Sequence, residues 1–280
     1  MNTVELYDQV CINASRNVTR AYSTSFSLGI RSLHPSLRDP IHAIYGFVRF
    51  ADEIVDTFHD HDKVKLLNAF REETEKAVAE KISLNPILHS FQRVVDRYGI
   101  EPALYNTFLD SMAMDLKKVK YDQHTYEQYI LGSAEVVGLM CLRVFCDGNR
   151  EKYDRLKPAA MRLGSAFQKV NFLRDLQDDL ASLGRSYFPE LALNRMTGET
   201  KRQIEENVQK DLDAALIGIR QLPKKSRFGV YLAYVYYISL FQKIRSLSTD
   251  RILKERIRLP NRNKFALFTT SYLRHSFGML

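Results

Sequence analysis

The feature that most limits this chain is the spacing of its apolar residues. From Ala69 to Ile82, Pro102 to Val119, Pro158 to Leu183 and Arg202 to Leu222 they recur at intervals of three and four, which gathers them on one face of an α-helix. No stretch alternates at period two, so neither Asp147-Gly148 nor any other pair stands between strands as a hairpin signal, and a sheet has no register to build on. There are only 12 glycines and eight prolines. Pro35, Pro40, Pro86, Pro102, Pro158, Pro189, Pro223 and Pro260 each stand at the edge of an apolar-periodic segment, where a helix is expected to begin or stop. The expected fold is all-α, one domain over residues 1–280 with about ten helices. Loops are expected at Arg31–Pro40, His59–Asp62, Gly184–Pro189 and Met196–Thr200, and no linker or solenoid repeat interrupts the chain.

Composition narrows the setting. With 45% hydrophobic and 26% charged residues the chain is neither disordered nor fibrous. Cys11, Cys141 and Cys146 form neither an even set nor a Cys-x-x-Cys pair, which points to free thiols and a reducing, cytoplasmic setting. No basic-then-apolar leader is read at Met1–Glu5. The uncharged run Phe228–Gln242 is shorter than the roughly 20 residues a membrane-crossing helix needs.

Two segments carry the chemistry. In Ile41–Phe58, Tyr45, Arg49, Asp52 and Asp56 fall at offsets 0, 4, 7 and 11. In Pro158–Leu183, Gln168, Asn171, Asp175 and Asp179 fall at 0, 3, 7 and 11. Each set forms one stripe along a helix, ending in two carboxylates a turn apart. Like charges at that spacing destabilise a helix unless something neutralises them. The flanks are strongly apolar, so both helices are expected in the interior. Clustered Asp and Asn oxygens suit a hard cation such as Mg²⁺, which takes its remaining ligands from water and substrate phosphates. Arginines among the carboxylates fit the same picture, a diphosphate bridged to the protein by metal.

These residues also carry a resemblance. The stretches Tyr45–Asp56 and Gln168–Asp179 resemble the two aspartate-rich motifs of the squalene and phytoene synthases, head-to-head prenyl transferases with an all-α isoprenoid synthase fold around a central cavity. Ser23–Ser27 resembles the family's N-terminal substrate segment. Ser111–Leu116 and Gly132–Met140 resemble its middle helices, closer to the phytoene than to the squalene synthases, and Gly184–Pro189 follows the second motif. Many relatives have a His and a Lys where this chain has Tyr22 and Thr24, and the connection from Asp179 to Arg185 is one residue longer than in many of them.

The resemblance implies that Asp52, Asp56, Asn171, Asp175 and Asp179 bind Mg²⁺, with Mn²⁺ a substitute. It implies that Ser25, Tyr45, Arg49, Gln168, Arg174 and Tyr237 contact the prenyl diphosphates, with Tyr45, Arg49 and the four aspartates serving catalysis. The implied reaction ionises one diphosphate, couples the allylic cation to a second prenyl diphosphate through a cyclopropyl intermediate, and ends in phytoene. The alternatives are a C30 synthase acting on farnesyl diphosphate and, in another class, an inert assembly protein. Ile30 and His42 are expected on the tunnel wall, where the absence of large rings leans towards the longer chain.

Other features are weighed beside these. His59-Asp60-His61-Asp62 reads as a solvated loop, Cys141 and Cys146 as buried thiols, and Tyr231, Tyr234, Tyr236 and Tyr237 as a packed helix with one functional tyrosine. Arg251, Lys254, Arg256, Arg258, Arg262 and Lys264 are either a solvated loop or a peripheral contact with anionic lipid. No nucleic-acid motif accompanies the charge, and no nucleic-acid partner is expected.

Overall fold

The computed structural model describes residues 2–117, 121–183, 186–191 and 196–259. The helices are α1 (Thr3–Tyr22), α2 (Thr24–Arg31), α3 (Pro35–Asp56), α4 (Lys63–Glu80), α5 (Pro86–Tyr98), α6 (Pro102–Asp115) and α7 (Gln123–Ile130). They continue with α8 (Val136–Cys146), α9 (Arg150–Asp178), α10 (Gly198–Gln221), α11 (Lys224–Arg245) and α12 (Thr249–Ile252). No strand occurs among the described residues. Helix starts obey local chemistry. Asn2, Ser23, Asp62, Asn85, Asp122, Asn149 and Thr197 each accept a backbone N–H of the first turn, and Pro35, Pro86 and Pro102 open α3, α5 and α6.

Two prolines depart from the expectation. Pro40 lies inside α3 and Pro158 inside α9, so the predicted loop before Pro40 shrinks to 32–34 and α9 begins at Arg150. Each proline removes one intrahelical hydrogen bond. The carbonyls left over belong to Ser36 and Asp154, both exposed, where water can satisfy them. Burial of Leu37, Ile41 and Ile44, and of Tyr153 and Leu156, holds the flanking turns in place. Pro260 lies outside the described residues.

The buried side chains form two hydrophobic clusters rather than one. The first is built on α3, α5 and α6 around Phe47, Phe91 and Phe108, with Phe47 stacked on Phe91 at 3.9 Å. The second is built on α9, α10 and α11 around Val170, Leu212 and Phe241. A tunnel runs along the seam between them, walled by Ile30, Leu33 and Ile41 on one side and by Leu156, Ile219 and Leu222 on the other.

Small residues set the seam's width. A Cβ on Gly164 would lie 2.6 Å from the Ala134 carbonyl oxygen, and one on Gly218 2.3 Å from the Ala159 Cβ. A Cβ on Gly229 would meet Leu33 at 2.5 Å. Helices therefore touch through glycine along the tunnel walls. The run Gln123–Cys146 is long and apolar enough to cross a membrane. Half of its apolar window is buried, with Leu139, Met140 and Val144 inside the bundle, and a π-type turn at Leu131–Glu135 joins α7 to α8.

His42 corrects an expectation. It does not line the tunnel but faces α1, where its Nδ1 lies 2.9 Å from Thr19 Oγ1. The reason is helical phase: Ile41 points into the seam and the next residue turns about 100° away. Thr19 donates its hydroxyl proton to the Ser15 carbonyl, so Nδ1 carries the hydrogen of the neutral ring. Burial, with the charges of Arg16, Arg20 and Arg38, holds the imidazole down at about 4, against the pull of Asp39. The unfolded chain takes up this proton near pH 6.5, the folded chain only near 4, so stability falls as pH drops through that window. Between pH 7 and pH 5 the loss should be about 2 kcal/mol. His42→Asn, whose amide can donate to Thr19, should lack that acid-sensitive component; urea titrations at the two pH values check this.

Candidate active site

On α3, Tyr45, Arg49 and Asp52 are partly buried, and Asp56, the last helical residue, is exposed. Arg49 donates from Nη1 to Asp52 Oδ2 at 2.5 Å and from Nη2 to Glu53. Its guanidinium lies 4.3 Å above the Tyr22 ring. Its Nε is buried and has no hydrogen-bond partner among the described residues, a donor left over in a site that otherwise pairs its charges. On α9, Gln168, Asn171 and Asp175 are partly buried on one face, and Asp179 stands where the helix widens into the π-type turn Asp179–Leu183. Arg174 holds Asp175 from Nε at 3.0 Å and Nη2 at 2.5 Å. Arg256 reaches the same carboxylate at 2.7 Å and Asp178 at 3.6 Å.

Contacts at each stripe and electrostatic coupling between them form a ring. Tyr237, on α11, donates to Asn171 Oδ1 at 3.2 Å and lies within electrostatic reach of Tyr45. Tyr45 meets Ser23, the cap of α2, and its ring lies 5.0 Å from Phe26. On the opposite side Asp115, at the end of α6, accepts from Tyr129 at 2.6 Å and Tyr187 at 3.2 Å, and its charge acts on Asp52. Tyr187 stacks at 4.2 Å on Phe172, next to Asn171. The seam opens at this polar ring: Phe26, Phe167 and Gln168 line both.

The field inside the ring is negative. Burial, with Asp56 and then Asp115 adding to it, raises the Asp52 carboxyl to about 7 despite Arg49. The Tyr129 hydroxyl is held well above its ordinary range, first by burial and then by Asp115. Such a site calls for a cation. The donors are carboxylate and amide oxygens, the ligand class of Mg²⁺ rather than of zinc or copper. Among the described residues no three Asp, Glu, His or Cys side chains converge on one point. That spread suits Mg²⁺, which binds through one or two carboxylates and keeps water or phosphate oxygens as its other ligands. The orphan Arg49 Nε and the N-terminal turn of α2 offer donors to an anion held there.

Of the residues the sequence singled out, Tyr45, Arg49, Asp52, Asn171 and Tyr237 are tied into the ring, and Arg174 and Asp175 form a pair beside it. Ser25 lies in the first turn of α2, and the residue of that segment that meets the stripe is Ser23. Asp115, Tyr129, Tyr187, Ser23 and Arg256 were not singled out as site residues from the sequence, although all but Tyr129 lie in stretches marked there. They are single polar residues on separate elements, and only folding brings them together; the one available signal was the placement of Asp115 at the end of an apolar helix. His59 and His61 are exposed, and His59 Nδ1 lies 3.0 Å from Lys63 Nζ. Cys141 lines the tunnel, Cys146 is buried, and Tyr231 and Tyr234 are core residues. In the basic run, Arg251 pairs with Glu255 and Arg256 with Asp175. Arg185, Arg262 and Lys264 lie outside the described residues.

Asp52 also gives a stability prediction. Its folded carboxyl titrates above its unfolded value of 3.8, so the metal-free fold loses stability as pH rises towards 7. Asp52→Asn should therefore raise the melting temperature of the EDTA-treated protein at pH 8 and leave it nearly unchanged at pH 4. A lower melting temperature at pH 8 would contradict this account of the field.

A family model described as squalene/phytoene synthase matches residues 19–263. The chain is 31% identical over 197 residues to a presqualene diphosphate synthase of Zymomonas mobilis, covering 68% of this chain and 65% of that protein. It is 26% identical over 279 residues to the chloroplastic phytoene synthase 3 of Zea mays, covering 92% and 64%. The match thus spans just under two thirds of the length of these two relatives. Among solved structures, a dehydrosqualene synthase bound to a ligand superposes with a TM-score of 0.82 at 18% identity, covering 98% of this chain and 100% of that one.

Proposed function

The chain belongs to the squalene/phytoene synthase family, and from that premise we propose that it joins two C20 prenyl diphosphates head to head, with Mg²⁺ as cofactor, to give phytoene. The observation that carries the reading is the mouth: two acidic stripes, coupled through Tyr45 and Tyr237, stand where an apolar seam begins. A ligand with a doubly charged head and a long hydrocarbon tail matches both halves.

In this reading Asp52, Asp56, Asn171, Asp175 and Asp179 hold the metal ions. Bound Mg²⁺ supplies Lewis-acid neutralisation of the departing diphosphate. Arg49 and Arg174 bind diphosphate oxygens, helped by Tyr45, Gln168, Tyr237 and Ser25, and the free Arg49 Nε gives one such donor a task. Asp115, held by Tyr129 and Tyr187, keeps the ring negative on the side away from α11. The allylic cation then needs walls without nucleophiles. Phe26 and Phe167 flank the reacting end, where ring faces attract positive charge. The thiol nearest the hydrocarbon, Cys141, is pushed up to about 12 by burial and stays protonated, hence a weak nucleophile.

The C20 assignment is supported by Ile30, an aliphatic wall residue, and by the similarity of 92% of this chain to part of a phytoene synthase. A second reading, a C30 enzyme that ends at a cyclopropyl diphosphate or a C30 hydrocarbon, is favoured by the similarity to a presqualene diphosphate synthase. The proposal includes a cytoplasmic protein whose basic run from Arg251 makes a peripheral contact with anionic lipid, a path for a water-insoluble product; its support is charge alone.

The test is incubation of purified protein with geranylgeranyl or farnesyl diphosphate in detergent, with Mg²⁺ or EDTA, and chromatography of the extract before and after phosphatase treatment. A Mg²⁺-dependent C40 hydrocarbon is the expected result. Asp175→Asn should lower its rate on the order of 100-fold or more while leaving the circular dichroism unchanged. A C30 product or a phosphatase-released cyclopropyl alcohol would establish the second reading. No product from either substrate with folded protein would point to an inert assembly protein.

A further inference from the structure

The tunnel's far end bears on which prenyl chain it takes. α8 and α9 pack antiparallel in a fixed register, with Ala134 against Gly164 and Gly138 against Ala160. Continued along the two helices, that register sets Phe145 level with Tyr153, deeper than any other α8 residue on the tunnel wall. Three aromatic rings line the tunnel among the described residues. Phe26 and Phe167 stand at the polar ring, beside Tyr45 and Tyr237, and the third is Phe145. Around it the wall is aliphatic and closed: Leu33, Leu142, Leu156 and Leu222 are each 6% exposed or less. Phe145 packs against both hydrophobic clusters, as Leu104 does, but of the two only Phe145 lines the tunnel, so its ring bridges the seam where the two cores meet.

We infer that Phe145 is the stop of the tunnel and sets the length of prenyl chain it accepts. From Gln168 to the level of Tyr153 is 15 residues, about 22 Å at the rise of an α-helix. Helical side chains lean towards the N-terminus of their helix, and for α8 that is the mouth. The ring therefore shortens the free path to roughly 20 Å. An extended prenyl unit of four carbon–carbon bonds advances on the order of 5 Å. Four units fill the path, three leave its end empty, and a fifth meets the ring. Residues further up the wall govern width; Phe145 governs depth, because it is the one large side chain across the end.

The inference rests on the prenyl-diphosphate reading of the mouth, and the experiment separates the two. Wild type, Phe145→Ala, Phe145→Leu and Phe145→Trp are given equimolar farnesyl, geranylgeranyl and geranylfarnesyl diphosphates with Mg²⁺, and product lengths are read by mass spectrometry. Affinities for the non-ionising thiolo-diphosphate of each length are measured by calorimetry. In both readouts Phe145→Ala should move the preference towards the C25 chain by about tenfold, with Phe145→Leu between it and wild type, and Phe145→Trp should move it by a similar factor towards C15. Phe145→Leu keeps the test open if the alanine variant fails to fold. Folded variants that rank the three lengths as wild type does, in turnover and in affinity, would overturn the role of Phe145. Absence of any condensation product, with the length ranking of affinities still shifted by the variants, would sink the proposed reaction and leave the stop intact.

Discussion

Everything at the functional end depends on a like-charge problem. Asp52 and Asp56 on one helix and Asp175 and Asp179 on another are placed a turn apart, and Asp115 adds a further negative charge. In the metal-free chain this repulsion is met by arginine and tyrosine: Arg49 on Asp52 and Glu53, Arg174 and Arg256 on Asp175, Tyr129 and Tyr187 on Asp115. The compensation is incomplete: burial first, with Asp56 and Asp115 adding to it, holds the Asp52 carboxyl up at about 7 despite Arg49. In the proposed reading a divalent cation relieves this repulsion, acting first on Asp52, whose carboxyl is already held up by burial.

The second constraint is the seam. Helical proteins ordinarily pack until no void larger than a water molecule is left. Here two separate cores, one centred on Phe47 and the other on Val170 and Leu212, each complete their own packing and meet along a line of small residues. Glycine at 164, 218 and 229 allows backbone to approach backbone at the walls, so the helices come close without filling the space between them. The cavity is thus a product of how two well-packed halves join. Its polar mouth and apolar depth follow from placing the acidic stripes at one end of α3 and α9 and the leucines at the other.

Much of this was legible beforehand. The apolar spacing gave an all-α chain, Pro35, Pro86 and Pro102 gave three helix starts, and the i, i+4 carboxylates with their arginines identified α3 and α9 as the helices that matter. Pro40 and Pro158 misled because a proline's effect depends on whether the carbonyl it orphans reaches water, and that is a property of the surface. His42 misled because one residue's rotation on a helix exchanges a tunnel wall for a contact with α1. Ser23, two residues before the singled-out Ser25, caps α2 and meets Tyr45, a contact between separate elements that no local pattern announces.

By itself the sequence determined the class of fold, the two acidic helices and the kind of ion and anion they suit, because helical periodicity and charge spacing are local properties of a chain. The tertiary structure alone decided that the stripes are coupled through Tyr45 and Tyr237, that Asp115, Tyr129, Tyr187 and Arg256 join them, and that Phe145 lies across the end of the seam. Those facts depend on the register between helices distant in sequence, which is fixed by the close approach of glycine and alanine surfaces and leaves no pattern in any single segment.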